Sequence, residues 1–338
     1  MVNKPDINFV YKLRPMLENT DKEFDKFRVN GDIFWSTPHK CWVILSHDAA
    51  TEILRSKSFE QSNVLEITNI LESKNDLDLS SLKEVLEIIP FFLNGEVHKK
   101  YRALFSRILA DLKNDYLCNF KIISQEILNN MQLKGGGDFA REYANILHTK
   151  AIAKTLGIGE KDINWLVKNT TIKGVADMTL KLQNMVNANE RIKNVQQRLM
   201  GIYIEKSENR NLLRIGERLK EAEIPDTVRN KALITHSIML AGSETMSGTL
   251  TLGLSYLLDS KHKYSNKNHS NNINLTVDEI LRLSSSVQAV VRSASENVKI
   301  LGKTIKKNET LMIFLPAVNH DPKVYKCPHN ISLDQKKN

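Results

Sequence analysis

Three cysteines in 338 residues, Cys41, Cys118 and Cys327, stand at unrelated spacings with no CxxC. An odd count without a motif excludes a disulfide framework and leads us to expect reduced thiols in a cytoplasm-like compartment. Long hydrophobic runs are also lacking. The most apolar stretch, around Ala232–Leu258, is broken by Thr235, His236, Ser237, Ser243 and Glu244, whereas a bilayer span needs ~20 apolar residues. The opening MVNKPDINFVYKLRP has no apolar core of a signal peptide or anchor, so no membrane association is expected. Neither GxGxxG nor GKS/T follows the triple glycine Gly135–Gly137, which reads as a loop rather than a phosphate cradle. No zinc-ligand spacing, RNP-like aromatic signature or basic amphipathic helix accompanies the net charge of +9, so nucleic acid is not an expected partner. Local lysine and arginine clusters, such as Lys99, Lys100 and Arg102, read as solvated surface or as a docking face for an acidic protein.

A chain of this length that is 41% hydrophobic can bury a large core. Cys41–Leu45 is β-branched and aromatic enough for a strand, and His47–Ser56 places Ala50, Ile53 and Leu54 on one helical face. From Leu82 to Leu133 the apolar residues recur at three and four positions, with breaks near Pro90 and Asn94–Gly95, which predicts successive helices. Another helix is expected over Asp138–Leu156, closed by Gly157. His262–Asn274 is polar and low in complexity, a surface loop. Val298–Phe314 alternates and carries a Lys306–Lys307–Asn308 turn, as a β-hairpin does.

After Pro225 comes the longest uninterrupted pattern. Asp226 can cap a helix, and no proline occurs from Val228 to Leu258, so a helix of ~30 residues and about 45 Å is predicted. Ala241-Gly242-Ser243-Glu244-Thr245 stands in its middle. Small residues there let a bulky group approach the backbone, and a buried Glu244 must be paired or functional. A packing glycine beside an exposed glutamate is the plainer reading of the same five residues. Glu279 and Arg282, at i and i+3, share one helical face and suit an ion pair. His98 and Arg102, at i and i+4, point at one target.

Taken in order, these motifs resemble the cytochrome P450 superfamily, of soluble bacterial type. The run IMLAGSETMSGTL is similar to the family's central helix, which implies proton-guiding catalytic roles for Glu244 and Thr245 and cofactor-binding positions for Ala241 and Gly242. Glu279-Ile280-Leu281-Arg282 resembles the ExxR helix, implying a structural ion pair buried beneath the C-terminal meander. Arg292, ten residues beyond Arg282, and the H-x-x-x-R pair His98 and Arg102 match the family's haem-propionate clamps. Ala317–Pro322 resembles the segment leading into the meander. CWVILSHDAATEILRSKSFEQS is similar to the first sheet and its helix, and GGGDFAREYANILHTKAIAKTLGI to the region midway between. The implied fold is mainly α with a small β-rich lobe, a triangular prism. It forms a single domain over 1–338, with β-rich pieces at about 30–60 and 288–316 and the central helix at about 226–258.

One family element is not among these residues. The FxxGxxxCxG loop carrying the haem-ligating cysteine, and the helix after it, would follow Asn338. Cys327 lies before that loop, and Cys41 and Cys118 match no ligand position, so no metal ligand is assigned. Asn330 and Gln335 stand where, in the family, an arginine often buttresses the Glu–Arg pair or opens the loop. The resemblance implies a haem-dependent monooxygenase acting on a lipophilic small molecule. The chain as given is expected to be inactive or incomplete, without stable thiolate-ligated haem. The alternative is a non-catalytic helper, for example an auxiliary subunit of a glycosyltransferase in natural-product biosynthesis. An acidic, ferredoxin-like redox partner, or a partner enzyme on the proximal face, is implied. Phe91–Phe92, Met178–Met185 and Ala289–Val291 are the expected substrate-pocket residues.

Overall fold

A computed structural model describes residues 6–9, 20–62, 64–170, 182–206, 208–258 and 273–331. Gln335, residues 178–181 of the expected pocket and most of the expected loop at 262–274 lie outside the described residues. The chain divides into two compact units, one of Met1–Ser62 with Thr251–Asn338 and the other of Asn63–Leu250.

The first unit is built on a six-stranded sheet. In chain order it holds β1 (Asp6–Ile7), α1 (Thr20–Arg28), β2 (Ile33–Ser36), β3 (Cys41–Ile44), α2 (His47–Arg55) and β4 (Phe59–Gln61). The sheet order is β1-β2-β3-β8-β5-β4, in which β5 (Ala289–Ala294) and β8 (Thr310–Phe314) come from far along the chain. Strand β3 is buried at every residue, as befits a central strand covered on both faces. It runs parallel to β8, with Val43 opposite Met312, and antiparallel to β2. Trp42 anchors the core and satisfies its indole by donating to Glu309 Oε2 at 2.6 Å. Ser46 caps α2 by accepting from the Ala49 amide, which fixes where strand gives way to helix.

Between β5 and β8 the structure differs from the sequence pattern. Strands β6 (Val298–Ile300) and β7 (Lys303–Ile305) form their own two-stranded ribbon. Its turn is Leu301–Gly302, both with positive φ, the two-residue geometry that matches strand twist. The Lys306–Asn308 turn exists, closed by Glu309 N donating to Lys306 O at 3.0 Å, but it leads from the ribbon into the large sheet.

The second unit is helical. It holds α3 (Val64–Asn75), α4 (Ser80–Leu86), a 3-10 turn at Pro90–Phe92, α5 (Gly95–Leu133), α6 (Asn145–Thr155), α7 (Glu160–Asn169), α8 (Leu182–Glu205) and α9 (Arg210–Glu221). Most of α10 (Val228–Leu258) belongs here as well, while α11 (Ile273–Ser284) and α12 (Leu315–Asn319) belong to the first unit. Leu104, Ile108 and Leu112 form the buried stripe of α5, at the spacing of one turn each. They pack in one cluster with Leu199 and Tyr203 of α8, Leu212, Ile215 and Leu219 of α9, and Ile234 and Ile238 of α10. Asn209 caps α9, its side chain accepting from the Asn211 and Leu212 amides.

Two local expectations are revised. The segment Asp138–Leu156 is not one uniform helix: a π-turn at Ala140–Ala144 precedes α6, and Gly157 ends it at φ +69°. Asp226 does not cap α10, because Lys231 (2.8 Å) and Lys220 (3.2 Å) hold its carboxylate. Thr227 caps instead, accepting from the Asn230 amide at 3.1 Å.

Candidate functional site

In the first unit the Glu279–Arg282 pair is fully engaged. Both residues are 8% exposed. Arg282 donates from Nε to Glu279 Oε1 (2.9 Å) and from Nη2 to Oε2 (2.8 Å), a bidentate fork across one helical turn. Its Nη1 donates to the carbonyls of Asn319 (2.9 Å) and Pro328 (2.7 Å), and Nη2 also reaches the Asn330 carbonyl (3.1 Å). A guanidinium has five N–H groups, and all five are used. The Tyr325 ring covers the guanidinium at 4.6 Å. Asn330 thus completes the pair through its backbone, which any residue type can do. The sequence holds no signal for these carbonyls.

Arg292, on β5, lies in the same unit. Its Nη1 donates to Gln61 Oε1 (2.6 Å) and to the Val291 carbonyl (2.9 Å). Desolvation pulls its pKa below the usual guanidinium range, so a further anionic partner would stabilise its charge. Val290, expected to line a pocket, packs instead in the sheet core with Trp42 and Ile313.

In the second unit, His98 and Arg102 lie one turn apart near the start of α5. Arg102 is exposed and His98 half-buried; among the described residues neither side chain has a hydrogen-bond or ion-pair partner. On α10, Ala241 and Thr245 are exposed, while Ser243 is buried and Glu244 half-buried. Thr245 Oγ1 donates to the Ala241 carbonyl at 2.9 Å, the i−4 back-bond that bends helices slightly. At Gly242 a Cβ would overlap the imidazole of His148. His148, on α6, accepts at Nδ1 from the Tyr116 hydroxyl (2.9 Å). Sequence reasoning missed this pair. The one available signal was a histidine amid the apolar run of NILHTKAIAK.

The cysteines differ sharply. Cys41 is buried in β3, and desolvation pushes its thiol up to about 12, so it is not a thiolate donor. Cys118 and Cys327 are exposed. Phe91 is largely exposed, and Phe92 packs against the helical core. Among the described residues no helix is long and apolar enough to cross a membrane, and no cluster of histidine, cysteine, aspartate or glutamate suits a metal ion.

Comparison with known proteins finds likenesses to one family. The profile described as "Cytochrome P450" matches residues 263–333, the stretch that contains the Glu279–Arg282 pair, Arg292 and the carbonyls that Arg282 holds. Cytochrome P450 140 of Mycobacterium tuberculosis is 37% identical over 99 residues, 29% of this chain and 23% of that protein. The chain therefore matches less than a quarter of that relative's length. The steroid C26-monooxygenase of Rhodococcus jostii is 22% identical over 337 residues, covering 94% of this chain and 68% of that one. Among solved structures, P450BioI in complex with an acyl carrier protein carrying hexadec-9Z-enoic acid superposes with a TM-score of 0.79. The match is 20% identical and covers 94% of this chain and 83% of that one.

Proposed function

We propose that the chain is a member of the cytochrome P450 superfamily whose residues build the propionate-holding and proton-guiding parts of a haem-dependent monooxygenase acting on a lipophilic small molecule, with none of Cys41, Cys118 and Cys327 assigned as the iron's thiolate. The observation that supports this reading is the His98–Arg102 pair. Two donors one turn apart, free of protein partners among the described residues, suit a group that brings its own carboxylates. In the other unit, and taken by itself, the half-buried Arg292 is a guanidinium suited to a carboxylate, with only Nη1 engaged among the described residues. Haem, when bound, supplies the oxygen-activating chemistry.

The chain's own residues supply position and protons. Ala241 presents a small side chain on the open part of α10, where a flat group can approach the helix. Thr245 holds a proton on Oγ1, directed at the Ala241 carbonyl, and the half-buried Glu244 precedes it on the helix. An acid and an alcohol on adjacent residues can hand a proton from solvent to a bound substrate. Lys100 and Lys113, both exposed on α5, support docking of an acidic redox protein at that helix.

Haemin titration of the purified chain tests the reading, followed by the Soret band and by tryptophan quenching. Each hydrogen bond to a charged group contributes about 1.5–3 kcal/mol, so His98→Ala and Arg102→Ala are each expected to weaken binding at least about tenfold. Absence of saturable haemin binding by the unsubstituted chain overturns the proposal.

A further inference from the structure

The contacts behind the acid–alcohol turn point to a positioning residue outside the family motifs. We propose that His148 sets the path of α10 through Ala241–Thr245, so that Thr245 and Glu244 are presented in one fixed arrangement. This rests on the monooxygenase reading, which is what gives that turn its task.

The tautomer follows from the partners. His148 Nε2 lies 3.3 Å from the Ile238 carbonyl, which can only accept, so Nε2 carries the proton. Nδ1 is then bare and takes the Tyr116 hydroxyl proton at 2.9 Å. Both nitrogens are committed, which fixes ring orientation as well as tautomer. Burial favours the same neutral form, lowering the pKa of the imidazole.

The ring meets α10 at successive turns. Ile238 O is the helical acceptor for the Gly242 amide, so His148 adds a second donor to the carbonyl that closes the glycine's turn. The imidazole fills the volume beside Gly242 that any larger residue would need. Tyr116, held by His148, places its hydroxyl 3.9 Å from Met246 Sδ, one turn further on. Asn145, three residues before His148 on α6, pairs its side chain with the Ser247 hydroxyl. A mid-helix glycine weakens a helix, and a threonine back-bond bends it. The turn that carries the proposed chemistry is thus the soft one, and α6 braces it from Ile238 to Ser247.

The experiment compares the unsubstituted chain with His148→Ala, His148→Gln and Leu156→Ala. Leu156 is a fully buried core leucine at the C-terminal end of α6 and has no contact role at the turn. Amide hydrogen exchange of residues 242–246, normalised to the core amides of α8, is read together with haemin affinity and melting temperature. His148→Ala is expected to speed normalised exchange at 242–246 at least tenfold and to weaken haemin at least tenfold. Glutamine, which keeps a donor for the Ile238 carbonyl, should recover most of both. Leu156→Ala should lower the melting temperature while leaving both readouts within twofold. If His148→Ala behaves as Leu156→Ala does, the residue is ordinary core and the proposal fails. If the unsubstituted chain takes up no haemin, the monooxygenase reading fails by itself, and the exchange arm still decides the role of His148.

Discussion

Replacing Glu279 by alanine removes one of two buried charges and strands the other. Arg282 would keep its bonds to the Asn319, Pro328 and Asn330 carbonyls, but Nε and one Nη2 proton would lose their acceptors. Those carbonyls carry only partial charge, so a guanidinium 8% exposed would face its desolvation without an anion. Breaking a buried pair on one side typically costs about 3–5 kcal/mol, against about 0.5 kcal/mol or less for an exposed i, i+3 pair. Urea unfolding followed by tryptophan fluorescence is suited to the test, because Trp35 and Trp42 both lie in the unit that holds the pair. With a slope of about 3 kcal/mol per molar urea, the expected loss is a midpoint shift of about 1 to 1.7 M. Glu296→Ala is the control. Glu296 is exposed and accepts one bond from the Ser58 hydroxyl, so its removal should stay within about 0.5 kcal/mol. Equal and small shifts for the two variants, at unchanged slope, would refute the reasoning.

Two further outcomes follow from buried groups elsewhere. Desolvation holds the fully buried His236 down to about 3, while the unfolded chain titrates it near 6.5. Below pH 6.5 the unfolded state therefore binds the extra proton, and stability falls as pH drops from about 6.5 towards 3. His236→Phe should remove about 2 kcal/mol of the loss between pH 7 and pH 5, a linkage of about 1.4 kcal/mol per pH unit. Urea midpoints at the two pH values check this, and an unchanged pH dependence contradicts it. Gly253→Ala would set its Cβ 2.5 Å from Ile280 Cγ2, an overpacking that costs about 1–3 kcal/mol. Adding Ile280→Leu, which moves the branch away from Cβ, should restore at least half of the lost melting temperature, and no restoration would disprove that contact.

What the sequence made legible was whatever its own periodicity encodes. The buried run Cys41–Ile44, the breaks at Pro90 and Asn94, and the proline-free span Val228–Leu258 each became the element expected. Glu279 and Arg282 met because i and i+3 share a face, and both side chains are buried. Contacts made by backbone atoms or by side chains distant in sequence stayed hidden. The Asn319, Pro328 and Asn330 carbonyls have no residue signature, and His148 finds Gly242 only once α6 and α10 are packed. Competing partners explain the rest: Lys220 and Lys231 draw Asp226 away from the cap, and Leu301–Gly302 outcompetes Lys306–Asn308 as the ribbon's turn.

The strand order of the large sheet carries a consequence for synthesis. Strand β4 pairs with β5, yet Ala289 follows Gln61 by 228 positions, and β3 must wait still longer for β8. At roughly 5–20 residues per second on the ribosome, β4 emerges about 10 to 45 seconds before its partner exists. During that interval the apolar faces of Trp42, Val43 and Ile44 have no β8 to lie beside, whereas the helices of Asn63–Leu250 can meet one another as they emerge. The sheet is therefore completed only after all the helices of Asn63–Leu250 have emerged, and its early strands are the segment most in need of shelter until then.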